Sequence, residues 1–120
     1  MTGAKGQDIC DRTRKYALRI IRLYRAIHKD EVGRVIGKQL LRSGTSIGAN
    51  VEEAQAAQSN ADFRHKMQIS LKEARETNYW LQLLRDAEVV EITLLEPLLD
   101  ETSQLMKILY TIIQKTKTSR

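Results

Sequence analysis

Three groups of side chains in this sequence have types and spacings that could do chemistry. Asp62 and His65 form a D-x-x-H pair, a spacing that sets two metal ligands on one helical face. A di-metal carboxylate bundle needs Glu-x-x-His on two helices and a further Glu from each of the others. Asp62–His65 has no counterpart, and His28 falls at a segment end. No metal and no cofactor are therefore expected. Glu53, Glu73 and Glu76 could converge across two helices. With Arg42, Lys72 and Arg75 close in sequence, ion pairing or a bond to a buried Asn50 is their expected role. Cys10 is the lone cysteine, without a nearby His or an evident activating environment. Ser43, Thr45 and Ser46 have no evident His base. Nothing here reaches a catalytic motif, and the expectation is a non-enzyme.

The stretch RSGTSIGAN, residues 42–50, raises a different chemistry, because its Gly44–Gly48 core could be read as a phosphate-cradling loop. Such a loop follows a strand and closes on Lys-Ser or Lys-Thr, whereas here a helical pattern precedes it and Ala-Asn follows. The better reading is a helix with a small face. Ser43, Gly44, Ser46 and Gly48 would let another helix approach closely, with Ser70, Ala74 and Thr77 as the matching small face and Asn50 and Glu53 beside it. A local kink or hinge is the other possibility.

Four helical segments must position these groups. Asp8 could cap the first, in which Ala17, Ile20, Tyr24 and Ile27, flanked by Tyr16 and Leu23, form one face. Asp30 is the expected cap of the second, whose stripe is Ile36, Leu40, Ser43, Ile47, Val51 and Ala54. Ser59 with Asp62 resembles a capping box opening the third, with Phe63, Met67, Ser70, Ala74, Thr77, Leu81 and Leu84 in line. Thr93 with Glu96 suggests another, placing Pro97 in the first turn of a fourth helix that carries Leu95, Leu98, Thr102, Leu105, Leu109 and Ile112. The helices are expected at about residues 8–28, 31–57, 60–87 and 94–115. Joined by short turns, they predict one all-α domain, an antiparallel up-and-down four-helix bundle.

With 42% apolar and 29% charged residues, the 120-residue chain falls among globular proteins rather than disordered ones. The single cysteine suggests a reducing compartment, no apolar run is long enough to span a membrane, and Met1 to Gln7 is too polar for a signal peptide. A cytoplasmic protein with no membrane association is expected. The net charge of +5 is unevenly spread. Residues 1–42 are strongly basic, residues 43–106 are acidic, and the tail from Lys107 to Arg120 carries four basic residues and no acid.

Arg12, Lys15, Arg19, Arg22 and Lys29 recur at helical steps as a ridge turned from the apolar face, widened by Arg14 and Arg25. In an antiparallel bundle, Lys115 and Lys117 would extend the same patch. Such a stripe fits phosphate tracking on RNA or DNA. The alternatives are a solvated helix face, or a surface that docks an acidic protein partner. Tyr16 and Tyr24 sit on or near the core side, which leaves no clear platform for base stacking. A second apolar line is also left over: Ile69, Trp80 and Leu83 on the third helix, and Leu99, Met106, Tyr110 and Ile113 on the fourth. It predicts self-association, unless the core arc is simply broad.

The strings QLLRSGTSIGANVEEAQAAQS and DFRHKMQISLKEARETNYWLQLL carry a resemblance to a known family. The chain resembles small bacterial four-helix-bundle proteins first noticed as reading frames within 23S ribosomal RNA intervening sequences. The accessory variability determinant proteins of diversity-generating retroelements are related to them. The resemblance covers about residues 8–113 and is densest over 39–84. Its matching positions include Arg42, Ser43, Ser46, Ile47, Ala49, Asn50 and Glu53, then Asp62, Phe63, Lys72, Glu73, Ala74, Glu76, Thr77, Tyr79, Trp80 and Leu84. One common branch has Pro where this chain has Gly48, and Gly where it has Ala54. The resemblance implies a ring-like homopentamer with a basic surface, and no catalytic residues. In the retroelement relatives it implies binding to a reverse transcriptase and to nucleic acid.

Overall fold

The computed structural model describes residues 4–118, and side chains from Gly6 to Lys117. Arg120 and the start of the polar Met1–Gln7 segment lie outside the described residues. Four helices follow in order: α1 Ala4–Ile27, α2 Glu31–Gln55, α3 Asn60–Asp86 and α4 Ile92–Thr118. Each packs against the next in an antiparallel up-and-down bundle 48 Å long. α1 and α4 meet only sparsely, so the fourth seam of the bundle is open.

The helix starts follow local chemistry, with corrections. Asp30 caps α2, its carboxylate accepting from the Gly33 N–H at 2.8 Å. Ser59 caps α3 through the Asp62 N–H at 3.0 Å, and the Asp62 carboxylate accepts in return from the Gln58 N–H at 3.3 Å. That return bond lands one residue before the cap, so the box is offset. Asp8 caps nothing: α1 begins at Ala4, and Gly6 is buried without stopping it. Thr93 lies inside the first turn of α4, and Pro97 lies past that turn. Proline is tolerated there because the carbonyl it deprives belongs to exposed Thr93, where water can replace the bond.

The core comes from the expected stripes. All seven α3 positions and all six α4 positions of the predicted faces are buried. On α1 the buried line is Ile9, Thr13, Tyr16, Ile20, Leu23 and Ile27, while Ala17 and Tyr24 are only half-buried. The buried hydroxyls find partners within this core. Thr102 donates to the Leu98 carbonyl at 2.6 Å, so its oxygen is left to accept from the Tyr16 phenol across the bundle. Burial raises the Tyr16 pKa well above the ordinary tyrosine range, and the Thr102 bond only partly offsets it.

The α2 small face splits between two neighbours. Ser43 shares a 2.8 Å hydrogen bond with Thr77, and Ser70 donates to the Ile47 carbonyl at 2.8 Å, so these residues join α2 to α3 beside buried Ala74. Gly44 and Gly48 do not face α3, as the sequence suggested. A Cβ on Gly44 would fall 2.9 Å from Ile20, and one on Gly48 would fall 3.2 Å from Thr13; both neighbours belong to α1. About 100° of rotation per residue turns adjacent Ser43 and Gly44 toward different helices.

Asn50 is half-buried and donates to the Ser46 carbonyl of its own helix at 2.8 Å; it holds no glutamate. Ser46 donates to the Arg42 carbonyl, and Glu53 is exposed. Arg42 pairs with Glu73 at 3.2 Å and with Glu76, which also accepts from the Trp80 indole at 2.9 Å. The indole bond first, and Arg42 second, hold the Glu76 carboxyl below its usual range.

Candidate nucleic-acid interface

α1 positions the predicted basic residues in two environments. Arg12 and Arg19 lie about 100° apart from the outermost line and flank the buried face on the α4 side; both are half-buried. Arg12 donates to Glu101 of α4 through Nε at 2.8 Å and Nη2 at 3.0 Å, and also to Gln104. It is therefore committed to closing the sparse α1–α4 seam. The hydrogen bond from Arg12 first, then its charge and that of Arg19, lower the Glu101 pKa against the opposing effect of burial. This partnership spans 89 residues of sequence, and no local acid pattern signalled it.

Arg14, Lys15, Arg22, Arg25 and Lys29 are exposed. None of them belongs to an ion pair formed among the described residues. Lys29 stands just past the end of α1, in the turn before α2. Asp11 and Asp8 are exposed at the N-terminal end of the ridge, and Asp11 accepts from Gln7 at 3.0 Å. The unopposed basic run therefore starts near Arg14.

Where α1 begins and α4 ends, the open seam forms a groove of about 720 Å³. Ile9, Ile108 and Ile112 make its apolar part, and Lys15, Lys107 and Lys115 stand on its rim with Arg12 and the two aspartates. The antiparallel connection thus places Lys115 on the same groove as Lys15, toward the end where α1 begins. Lys117 is exposed two residues further on. Lys107 joins this rim although its sequence position gave no reason to single it out: the residue is isolated on α4, and only the α1–α4 crossing gives it company.

The other candidate chemistry resolves into structure. Asp62 is engaged by Lys66 at 3.2 Å and by the Gln58 N–H, and exposed His65 lies one turn on. Among the described residues no group of three or more His, Cys, Asp or Glu is placed to hold a metal. Cys10 is buried on α1; burial first, and then the Glu52 carboxylate, raise its thiol pKa. Among the described residues no helix is long and apolar enough to cross a membrane.

The second apolar seam is less exposed than its spacing suggested. Ile113 is buried in the core of its own chain, and Leu99 and Met106 pack partly against that core. The reason is angular: these residues lie on the flank of α4 that turns to α3, so a broad core arc absorbs them. Trp80 on α3 likewise packs partly against the core; Ile69 and Leu83 are half-buried, and Tyr110 is 53% exposed.

The family model described as 23S rRNA-intervening sequence protein matches residues 5–111. Among solved structures, the chain is similar to a protein of unknown function from the S23 ribosomal protein family of Bacteroides thetaiotaomicron VPI-5482. The two share 44% identity with a TM-score of 0.83, over 88% of this chain and 97% of that one. No curated protein matches the sequence.

Proposed function

The chain belongs to the 23S rRNA-intervening sequence protein family, and we propose that it is a non-enzymatic, homo-oligomeric protein that binds RNA or DNA through the basic face of α1. One observation carries this reading: Arg14, Lys15, Arg22, Arg25 and Lys29 are exposed on or just past one helix, with no ion-pair partner among the described residues. A solvated helix face normally interleaves charges of both signs. An unopposed row instead presents the charge that a phosphate backbone neutralises on binding, with release of its counterions. Lys107, Lys115 and Lys117 extend the charge onto the end of α4. Arg12 and Arg19 shape the seam and take a lesser part in contact.

The same reading takes the chain to assemble with copies of itself, up to the pentamer its family resemblance implies. Ile69, Leu83 and Tyr110 are the apolar side chains still available for that contact, with whatever part of Trp80, Leu99 and Met106 the core leaves uncovered. Supporting the absence of catalysis, the Ser43, Thr45 and Ser46 hydroxyls are engaged by Thr77 or by carbonyls of their own helix.

The test is fluorescence anisotropy with a structured RNA and a DNA duplex at low salt, with light scattering in the same buffer. Wild type is expected to bind. A Lys15→Glu/Arg22→Glu/Arg25→Glu variant is expected to lose binding by at least tenfold at unchanged oligomer mass. Failure of wild type to bind either probe would overturn the reading and turn the search toward an acidic protein partner such as a reverse transcriptase.

A further inference from the structure

The exposed cations on α1 do not form a single line. Counting about 100° per residue, Lys15 and Arg22 share one flank of the helix, and Arg14 and Arg25 share the other, roughly 80° away. Between the two flanks lies Leu18, an apolar residue left 45% exposed at the outermost point of α1. At the roughly 5–6 Å radius of a helix with its side chains, two rows about 80° apart stand about 7 Å apart at its surface, the chord of that angle. Within each row the cations are seven and eleven residues apart, or about 10 Å and 16 Å along the axis.

We propose that α1 lies in the major groove of double-stranded DNA, with one row on the phosphates of each strand. This rests on the nucleic-acid reading above and adds the ligand's form. The B-form major groove is about 12 Å wide and admits an α-helix. Rows about 7 Å apart at the helix surface fit inside that width and leave their long side chains room to diverge to its two walls, and the crest between them carries apolar Leu18 rather than a charge. The major groove of A-form RNA is too deep and narrow for side chains to read.

A single strand fits this face poorly for a separate reason. Sequence-tolerant single-strand binding combines a positive groove with exposed aromatic platforms. The crest of α1 is convex, and the groove between α1 and α4 beside it is lined by isoleucines and no aromatic ring. Tyr16 is buried under it, and Tyr24 is half-buried and stacked with His28 at a centroid distance of 5.5 Å. The exposed Tyr79 and Tyr110 belong to α3 and α4. Asp8 and Asp11 bound the grip at the N-terminal end of α1, and Glu52, set against Cys10 one turn before Arg14, bounds the second row. With no base-reading polar side chain on the crest, the contact is expected to be sequence-tolerant.

The experiment compares three probes by anisotropy at one low salt concentration: a 20-base-pair DNA duplex, the RNA duplex of the same sequence, and its DNA single strand. Each is titrated with wild type, with Lys15→Glu/Arg22→Glu and with Arg14→Glu/Arg25→Glu; glutamine versions of both variants guard against misfolding from charge reversal. The expected result is at least tenfold tighter binding to the DNA duplex than to either other probe. Each row variant should lose tenfold or more on that duplex, and the glutamine versions should fall in the same order. Equal affinity for the three probes, or loss from one row only, overturns the two-strand grip while phosphate binding by α1 stands. No binding of any probe by wild type overturns both.

Discussion

Arg12 on α1 and Glu101 on α4 hold each other by two hydrogen bonds, of 2.8 and 3.0 Å, across the one seam of the bundle where backbone packing is sparse. Elsewhere the helices are joined by interdigitated side chains along their length. Here a charged pair bridges a gap that opens toward solvent. A residue that reads in sequence as part of a basic ligand surface is thus a brace.

The brace makes stability depend on acidity. The folded-state pKa of Glu101 is lowered, with the Arg12 hydrogen bond as the main cause. The stabilisation is therefore fully present above the ordinary glutamate pKa and is lost as pH falls through the lowered folded value. Arg12 is 37% exposed, so solvent screening limits the pair to about 1 kcal/mol or less. Glu101→Gln is expected to lower Tm slightly at pH 7 and to flatten the acid limb of the Tm–pH curve. Calorimetry of both proteins between pH 3 and pH 7 checks this; parallel curves would contradict it.

Gly44 is a packing residue. Its missing Cβ leaves room for Ile20, whose side chain would otherwise sit 2.9 Å away. Gly44→Ala gains up to ~1 kcal/mol of helix propensity, but it forces a fully buried isoleucine aside at a cost of about 1–3 kcal/mol. A net destabilisation by urea titration is expected. Gly44→Ala combined with Ile20→Val should recover part of it, because the smaller side chain yields space. A stabilised single variant would show that the seam is looser than the contact implies.

The α3–α4 turn holds a correctable strain. Glu88 has φ 55°, the left-handed region, just after the Ala87 cap. The Val89 N–H reaches the Leu84 carbonyl and the Glu88 N–H reaches the Arg85 carbonyl, both at 3.1 Å, the double bond that closes a helix with a left-handed residue. Glycine adopts that conformation without the roughly 1–2 kcal/mol penalty of an L side chain. Glu88→Gly should raise stability by several tenths to about 1 kcal/mol, read as a higher denaturation midpoint. A lowered midpoint would mean that the glutamate side chain contributes more than its backbone costs.

The regular part of this architecture was legible because its signal is periodic. The stripes from Phe63 to Leu84 and from Leu95 to Ile112 fell wholly into the core, since residues three and four apart must share a face. What escaped depended on partners far away in sequence. Small residues at Gly44 and Gly48 announce close approach without saying which neighbour comes close. The pairing of Arg12 with Glu101, and the company that Lys107 keeps with Lys15, exist only once α4 has returned beside α1. Glu88 gave no signal because a turn there would ordinarily show glycine.

The two classes of arginine and lysine on α1 lead to one measurement. On the proposed function, five exposed cations, Arg14, Lys15, Arg22, Arg25 and Lys29, release counterions from a phosphate backbone. DNA-duplex affinity should then be measured across a range of salt concentrations, with log K plotted against log salt. About five contacts predict a slope of roughly −4 to −5 for wild type, falling by about one per cation removed, while Arg12→Gln shifts it little. A slope near zero, or an unchanged slope in the Lys15→Glu/Arg22→Glu/Arg25→Glu variant, would contradict the assignment of α1 as the binding surface.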